Sequence, residues 1–267
     1  MLALVLVGCE KNNNSSQSKS TSPIISLSKG DPFSNYGVWH NLLLDSLGNY
    51  PDTGFYSSTH DAYQVYQDTM GQLSVDYQEI VPHLNNFDSI MDNNPPSKRL
   101  LEYTEYLVSS GNVTPRVQVG LDSLNRLLYN FSFDAGQGTS ENLINLRDTL
   151  ENFYAYLYGE TSGYTSMERK ILLGAVNTGI YSLNYWRNVY VTPDHYYHDE
   201  LIEFINEGNI KGKWLKDLLG VVTTVAADIG GFALGFAAGN AIAPGAGSAL
   251  GPVAGAGGSK AVISAWW

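Results

Sequence analysis

The sequence predicts an all-α protein, in which a helical bundle body is followed by a C-terminal Gly/Ala-rich helical hairpin. Between residues 34 and about 190, apolar residues recur three and four positions apart, which is the spacing of one helix face. After Trp214 the composition changes to Gly, Ala and aliphatic residues, with a small residue at every fourth position. No Asn-Gly or Asp-Gly turn separates alternating segments, so a β-sheet has little support.

Composition and charge exclude several classes of function. A chain of 267 residues with 43% hydrophobic content is long enough to bury one sizeable core. Its 15 Lys and Arg residues against 26 Asp and Glu residues give a net charge of −11, which excludes the basic surface of a nucleic-acid-binding protein. The single Cys cannot form an internal disulfide, so we expect the core to be held by packing.

The N-terminus resembles a bacterial lipobox. An apolar run ends in Leu6-Val7-Gly8-Cys9, and polar residues follow at once. The resemblance implies cleavage before Cys9 and acylation of that residue, with residues 1–8 as the remnant of a signal peptide. Residues 9–33 are rich in Ser, Asn, Gln and Lys, which is typical of a polar, lipid-anchored linker. The alternative is a short apolar N-terminus with a buried free Cys.

The predicted body covers residues 34–210. Its clearest helices begin at Thr114-Pro115, a cap followed by a first-turn Pro, near Ser140, and at the capping-box pattern Thr165-Ser-Met-Glu168. Weaker patterns predict helices over 34–49, 59–70, 74–91 and 97–109. His40 lies at the edge of an apolar stripe, so we expect a hydrogen-bonded packing residue there, not a catalytic base.

Residues 211–267 form the predicted glycine-zipper hairpin, with a break at Pro244-Gly245. Small residues on one face of each arm permit close approach of two helices. The packing positions are Gly231, Gly235, Gly239, Gly247, Gly251 and Gly255. In a hairpin folded near residue 244, the lone charges Asp228 and Lys260 lie level and are predicted to form an ion pair.

Whether this hairpin enters a bilayer is a question of magnitudes. Segment 218–243 has ten large aliphatic or Phe residues, each worth about −0.3 to −0.6 kcal/mol of insertion, against about +3 kcal/mol for Asp228. The sum is marginal, so we expect either conditional insertion or a hairpin packed on the body. Pore-forming colicin domains, by analogy of pattern, store such a hairpin inside a helical bundle. Basic and aromatic residues flank its base: Lys211, Lys213, Trp214, Lys216, Trp266 and Trp267.

Two alternatives rest on other residues. His195 and His198, with Asp199 nearby, are suitable in type for Zn²⁺ and would support a metal-dependent hydrolase. They lack the Glu between two His that marks the common zinc-protease helix. Tyrosines at 154, 156, 158, 196 and 197 would support a glycan- or protein-binding module. The chain has no nucleophile elbow and no phosphate-binding loop, so we expect no catalysis and no cofactor.

Two further segments, Val38–Asp45 and Glu168–Trp186, are similar to uncharacterised helical lipoproteins of Bacteroidota, which also end in a Gly-rich tail. The resemblance implies an all-helical lipoprotein of the bacterial cell envelope, anchored at the outer membrane. Together with the hairpin, it predicts a non-catalytic interaction protein. Its predicted partners are membrane lipid, through Cys9 and the hairpin, and further copies of itself.

Overall fold

A computed structural model gives the fold. It describes residues 34–48, 58–70, 77–93, 96–109, 111, 113–159, 163–207, 213–242 and 246–264. These belong to one compact unit, Pro32–Trp267, and contain ten helices and no strand, which confirms the all-α class. The helices are α1 (Ser34–Gly48), α2 (Ser58–Met70), α3 (Tyr77–Asn93), α4 (Pro96–Ser109), α5 (Pro115–Tyr129), α6 (Thr139–Gly159), α7 (Ser166–Val191), α8 (His198–Glu207), α9 (Lys213–Ile242) and α10 (Gly247–Ser264).

Local capping determines where α5 and α7 begin. The Thr114 hydroxyl accepts a hydrogen bond from the Val117 amide, and Pro115 occupies the first turn of α5. At α7 the Thr165 hydroxyl accepts from the Glu168 amide at 3.2 Å, and the Glu168 carboxylate accepts from the Thr165 amide at 2.6 Å. Both capping predictions are confirmed.

Other boundaries differ from the sequence pattern. Helix α3 begins at Tyr77 and accommodates Pro82, three residues later than predicted. Phe131 lies beyond the end of α5, where its ring packs edge-on against Phe133. The predicted linker and the body–hairpin boundary at residue 211 lie outside the described residues.

Helix α9 forms the centre of the bundle. Every residue from Gly220 to Gly239 is buried, and α9 contacts α3, α4, α5, α6, α7, α8 and α10. A helix that is apolar on all sides must be enclosed by protein or by lipid. Here the other helices enclose it, each with an apolar face inward.

The helix directions follow from side-chain contacts. Helix α9 runs antiparallel to α7, since Tyr190 meets Asp217 near one end and Gly174 lies against the Phe232 ring toward the other. Helix α5 runs parallel to α7, because Thr114 bonds to Glu168. One end of the bundle, named here the tip end, therefore combines the starts of α5 and α7 with the ends of α6 and α9. The opposite end, where α7 ends and α9 begins, is the base end.

Candidate functional site

The most unusual chemical group in the described core is a carboxylate at the middle of α9. Asp228 is fully buried, and its Oδ1 lies 3.1 Å from Nε2 of the equally buried His40. Its Oδ2 accepts hydrogen bonds from the Ser182 hydroxyl at 2.5 Å and from the Trp186 indole N–H at 3.0 Å. We call these four residues the Asp228 cluster. Both carboxylate oxygens have a partner, which a buried charge requires.

The packing of α1 on α7 delivers His40 to this cluster. The Gly37 amide donates to Asn177 Oδ1 at 2.9 Å, and the Tyr181 ring occupies the space that a side chain at Gly37 would need. His40 Nδ1 contacts the Asn41 side-chain oxygen at 2.9 Å, so Nε2 is directed toward Asp228. Helix α1 therefore brings a cation donor to the one acidic group in the middle of α9.

Burial and charge act in opposite directions on His40. Burial alone lowers the pKa of His40, because it disfavours the charged ring. The negative charge of Asp228 and the hydrogen bonds to Asp228 and Asn41 raise it, and the net pKa lies above the ordinary value of 6.5. The two residues thus form a buried ion pair at neutral pH.

The cluster contains Ser, His and Asp without forming a catalytic triad. In a triad the His accepts the proton of the Ser hydroxyl and the Asp orients the His. Here Ser182 donates to Asp228 instead, and all three side chains are buried from solvent. The arrangement can hold α1, α7 and α9 together, but it presents no nucleophile to a substrate.

The predicted packing glycines lie where α9 and α10 meet. A Cβ at Gly231 would lie 2.7 Å from the Ala254 carbonyl carbon, and one at Gly239 would lie 2.8 Å from the Gly247 Cα. A Cβ at Gly235 would overlap the Leu250 carbonyl group. Because backbone cannot give way as a side chain can, these positions allow only Gly at this separation of the helices.

The remaining packing positions contact side chains as well as backbone. A Cβ at Gly251 would meet the Phe232 ring at 2.7 Å, and one at Gly255 would meet the Asp228 carbonyl oxygen at 3.0 Å. The two arms are antiparallel, but each α9 residue faces α10 two or three positions earlier than a hairpin folded near residue 244 predicts. The Lys260 side chain lies outside the described residues, so its pairing with Asp228 stays a prediction.

Helix α9 alone among the described helices is long and apolar enough to cross a membrane. The qualifying segment, Lys213–Ala241, has a mean hydropathy of 1.7, and 94% of it is buried in the protein. Length and composition decide this test, and the core helix of a soluble protein passes it too. The hairpin in this state is thus core packing, as one of the two sequence-based expectations has it.

The two histidines proposed for metal binding do not share a helix. His195 lies in the turn before α8, and His198 is the first residue of α8. His195 Nδ1 accepts from the Tyr197 amide at 3.2 Å, while His198 Nδ1 contacts the Val189 carbonyl oxygen at 2.8 Å. Across the described residues no group of three or more His, Cys, Asp or Glu side chains could hold a metal ion.

The tyrosines near these histidines bond to one another and to α1. Asp45 Oδ1 accepts from the Tyr185 hydroxyl at 3.0 Å and from the Tyr196 hydroxyl at 2.7 Å. Burial, followed by the neighbouring hydroxyl and carboxylate groups, raises the pKa of Tyr185 and Tyr196 far above the ordinary value. These groups fasten the α7–α8 turn to α1, so their hydroxyls are already occupied.

Sequence reasoning placed His40 correctly as a packing residue but missed its partner. The available signal was a lone His in one apolar stripe and a lone Asp in another, because two buried polar groups need each other. Cys9 lies outside the described residues, so acylation there stays a prediction. Comparison of the chain with protein-family models, with curated proteins and with solved structures finds no match.

Proposed function

We propose that this chain is a cell-envelope lipoprotein of the non-catalytic interaction type, whose α9–α10 hairpin is stored in the bundle and associates with membrane when released. One observation carries the proposal: α9 is buried on all sides over Gly220–Gly239. These 20 residues span about 30 Å, which is the thickness of a hydrocarbon core. The same helix surface that meets protein here is therefore suited to lipid.

The glycine interface supports transfer of the two helices as a unit. Helix α10 is short and poor in large apolar residues, so alone it gains little from lipid. Paired through Gly231, Gly235 and Gly239, it needs no hydrophobic driving force, because close backbone packing also operates inside a bilayer. A released hairpin would offer the same glycine face to a second copy, which is the self-assembly form of the proposal.

The Asp228 cluster supports storage. Release separates Asp228 from His40, and a lone Asp at mid-membrane costs about 3 kcal/mol on the insertion scale. The hairpin therefore stays in the bundle until contact with lipid offsets this cost. No contact of His195 or His198 favours the hydrolase alternative.

A disulfide lock tests the proposal in the full chain with Cys9→Ser, which removes both the acyl site and the competing thiol. A Cβ at Gly179 lies 2.9 Å from Ile229 Cγ1, so Gly179→Cys with Ile229→Cys places the two Cβ atoms about 4 Å apart, within disulfide range. The protein is mixed with vesicles containing a phospholipid with a photoreactive acyl chain. Labelled peptides are then identified by mass spectrometry.

We expect α9 to be labelled in the reduced protein and not in the oxidised one. The matched control is Gly120→Cys with Leu172→Cys, which links α5 to α7 and leaves α9 free; it should be labelled in both redox states. Absence of α9 labelling in the reduced protein would overturn the proposal, as would equal labelling with the α7–α9 disulfide intact.

A further inference from the structure

The tip end carries a concentration of exposed apolar side chains. It comprises residues 114–119 of α5, 153–159 of α6 and 163–170 of α7, which we name the α5–α7 end. Four of the nine large hydrophobic residues that are exposed in the described chain lie here. They are Val119 (63% exposed), Tyr156 (62%), Tyr158 (51%) and Met167 (42%).

The same surface is basic in a chain whose net charge is −11. Within the three ranges the charged residues are Arg116, Glu168, Arg169 and Lys170. Glu168 is only 6% exposed and is bonded to Thr114 and Thr165, so it is part of the caps. The α6–α7 connection, outside the described residues, adds one acid, Glu160. Three basic groups and one buried acid therefore define the described surface.

Several of these side chains are held in place. Arg116 donates to the Gly163 carbonyl oxygen and lies 5.5 Å from the centre of the Tyr164 ring. The Tyr156 ring stacks on Phe153, and the Tyr158 ring stacks on Tyr154. The exposed rings thus stand on a supported aromatic base, and little order has to be gained when they bind.

We propose that the α5–α7 end is the surface by which this protein docks on an anionic lipid bilayer. Tyr rings favour the membrane–water interface, and each Lys or Arg near an anionic surface adds attraction. The proposal rests on the proposed function and specifies it, because α9 ends at this same end and the hairpin tip would meet the lipid first. Also near it, Tyr36 of α1 contacts Ser248 in the first turn of α10. The segment with the predicted acylation site joins the body there.

The base end, which the sequence favours as an interface, has a different charge. Lys213 and Trp214 are exposed there, but α8 packs beside them with Asp199 and Glu203 exposed. Asp217 adds a further carboxylate at the start of α9. Anionic lipid is therefore repelled at this end and attracted at the other.

Matched substitutions at the two ends test the surface. In the full chain with Cys9→Ser, we compare Lys170→Glu with Lys213→Glu, and Tyr156→Ser with Trp214→Ser. Binding is measured by flotation with vesicles of phosphatidylcholine alone and of phosphatidylcholine with an equal amount of phosphatidylglycerol. We expect K170E to weaken binding to the anionic vesicles about tenfold or more and Y156S about fivefold, with both base-end variants unchanged.

Two results would overturn the docking surface: equal binding to the neutral and the anionic vesicles, or equal losses from the tip-end and base-end variants. The α7–α9 disulfide separates this proposal from the one on which it rests. If the oxidised protein floats as the reduced protein does, and Lys170→Glu still weakens flotation, the docking surface stands whatever the lipid labelling of α9 shows. If labelling of α9 occurs but flotation ignores Lys170 and Tyr156, the hairpin proposal stands without this surface.

Discussion

Replacing Asp228 with Asn removes the only described acidic group from the middle of α9 and leaves His40 buried without its counter-charge. Breaking one partner of a buried ion pair costs about 3–5 kcal/mol of the free energy of unfolding. For a domain of this size each kcal/mol shifts the melting temperature by about 2–4 °C. We therefore expect Asp228→Asn to melt at least 6 °C, or about that, below the unmodified chain near pH 6.

The pH dependence gives the sharper test, because its sign differs between the two proteins. In the unmodified chain the pKa of His40 is raised, so its contribution is fully present below about pH 6.5 and is lost as pH rises through the folded-state pKa. In Asp228→Asn only burial and the Asn41 bond remain, and burial is the larger effect. The folded-state pKa of His40 then falls below 6.5, and the variant loses stability as pH falls through that region.

Urea unfolding followed by Trp fluorescence measures both slopes, since Trp186 donates to Asp228 directly. Each slope reaches at most about 1.4 kcal/mol per pH unit for one titrating group. The control is His40→Gln, alone and with Asp228→Asn, which removes the titrating ring and should abolish both slopes. Parallel pH profiles for the unmodified chain and Asp228→Asn would refute the ion pair.

Three further predictions concern the helix interface, the cap and the histidines. Gly235→Ala should destabilise the fold by about 1–3 kcal/mol in thermal melts, because its Cβ overlaps the facing backbone of α10, whereas Gly159→Ala meets no atom within 4 Å and should change little; equal effects would contradict the interface. Glu168→Gln should cost about 1 kcal/mol at neutral pH, since hydrogen bonds hold the pKa of this carboxyl below 4.5; the difference should shrink as pH falls through that folded-state pKa, and a constant difference would argue against the charge. Added Zn²⁺ should leave the melting temperature unchanged, because the Nδ1 atoms of His195 and His198 are already bonded; a rise abolished by replacing both with Ala would restore the metal site.

Features that depend on neighbours in the sequence could be predicted well. The capping box at Thr165 and Glu168 needs residues three apart, and the first-turn Pro115 needs only its own ring. The packing glycines also follow a local rule, since residues four apart share one face of a helix. For these, the physical cause lies within one helix turn of its effect.

Features that depend on tertiary contacts could not be predicted. Nothing near His40 in sequence identifies Asp228, because packing of α1 and α9 on α7 brings the two together. The offset between α9 and α10 depends on which backbone atoms meet at each Gly, and no spacing rule specifies that. The turn at His195 fails the helix pattern for a similar reason, since contacts of Tyr196 with Asp45 hold it in place.

The central position of α9 also has a consequence for biosynthesis. The ribosome makes α1 to α8 before Lys213, yet the apolar faces of most of these helices pack on α9. Until Gly239 has been synthesised, the earlier helices have no core to cover, so the growing chain cannot bury its apolar residues in the native way. Such a chain stays open for most of its synthesis, which is the condition that an export channel for unfolded polypeptides requires and that cytosolic folding would otherwise remove.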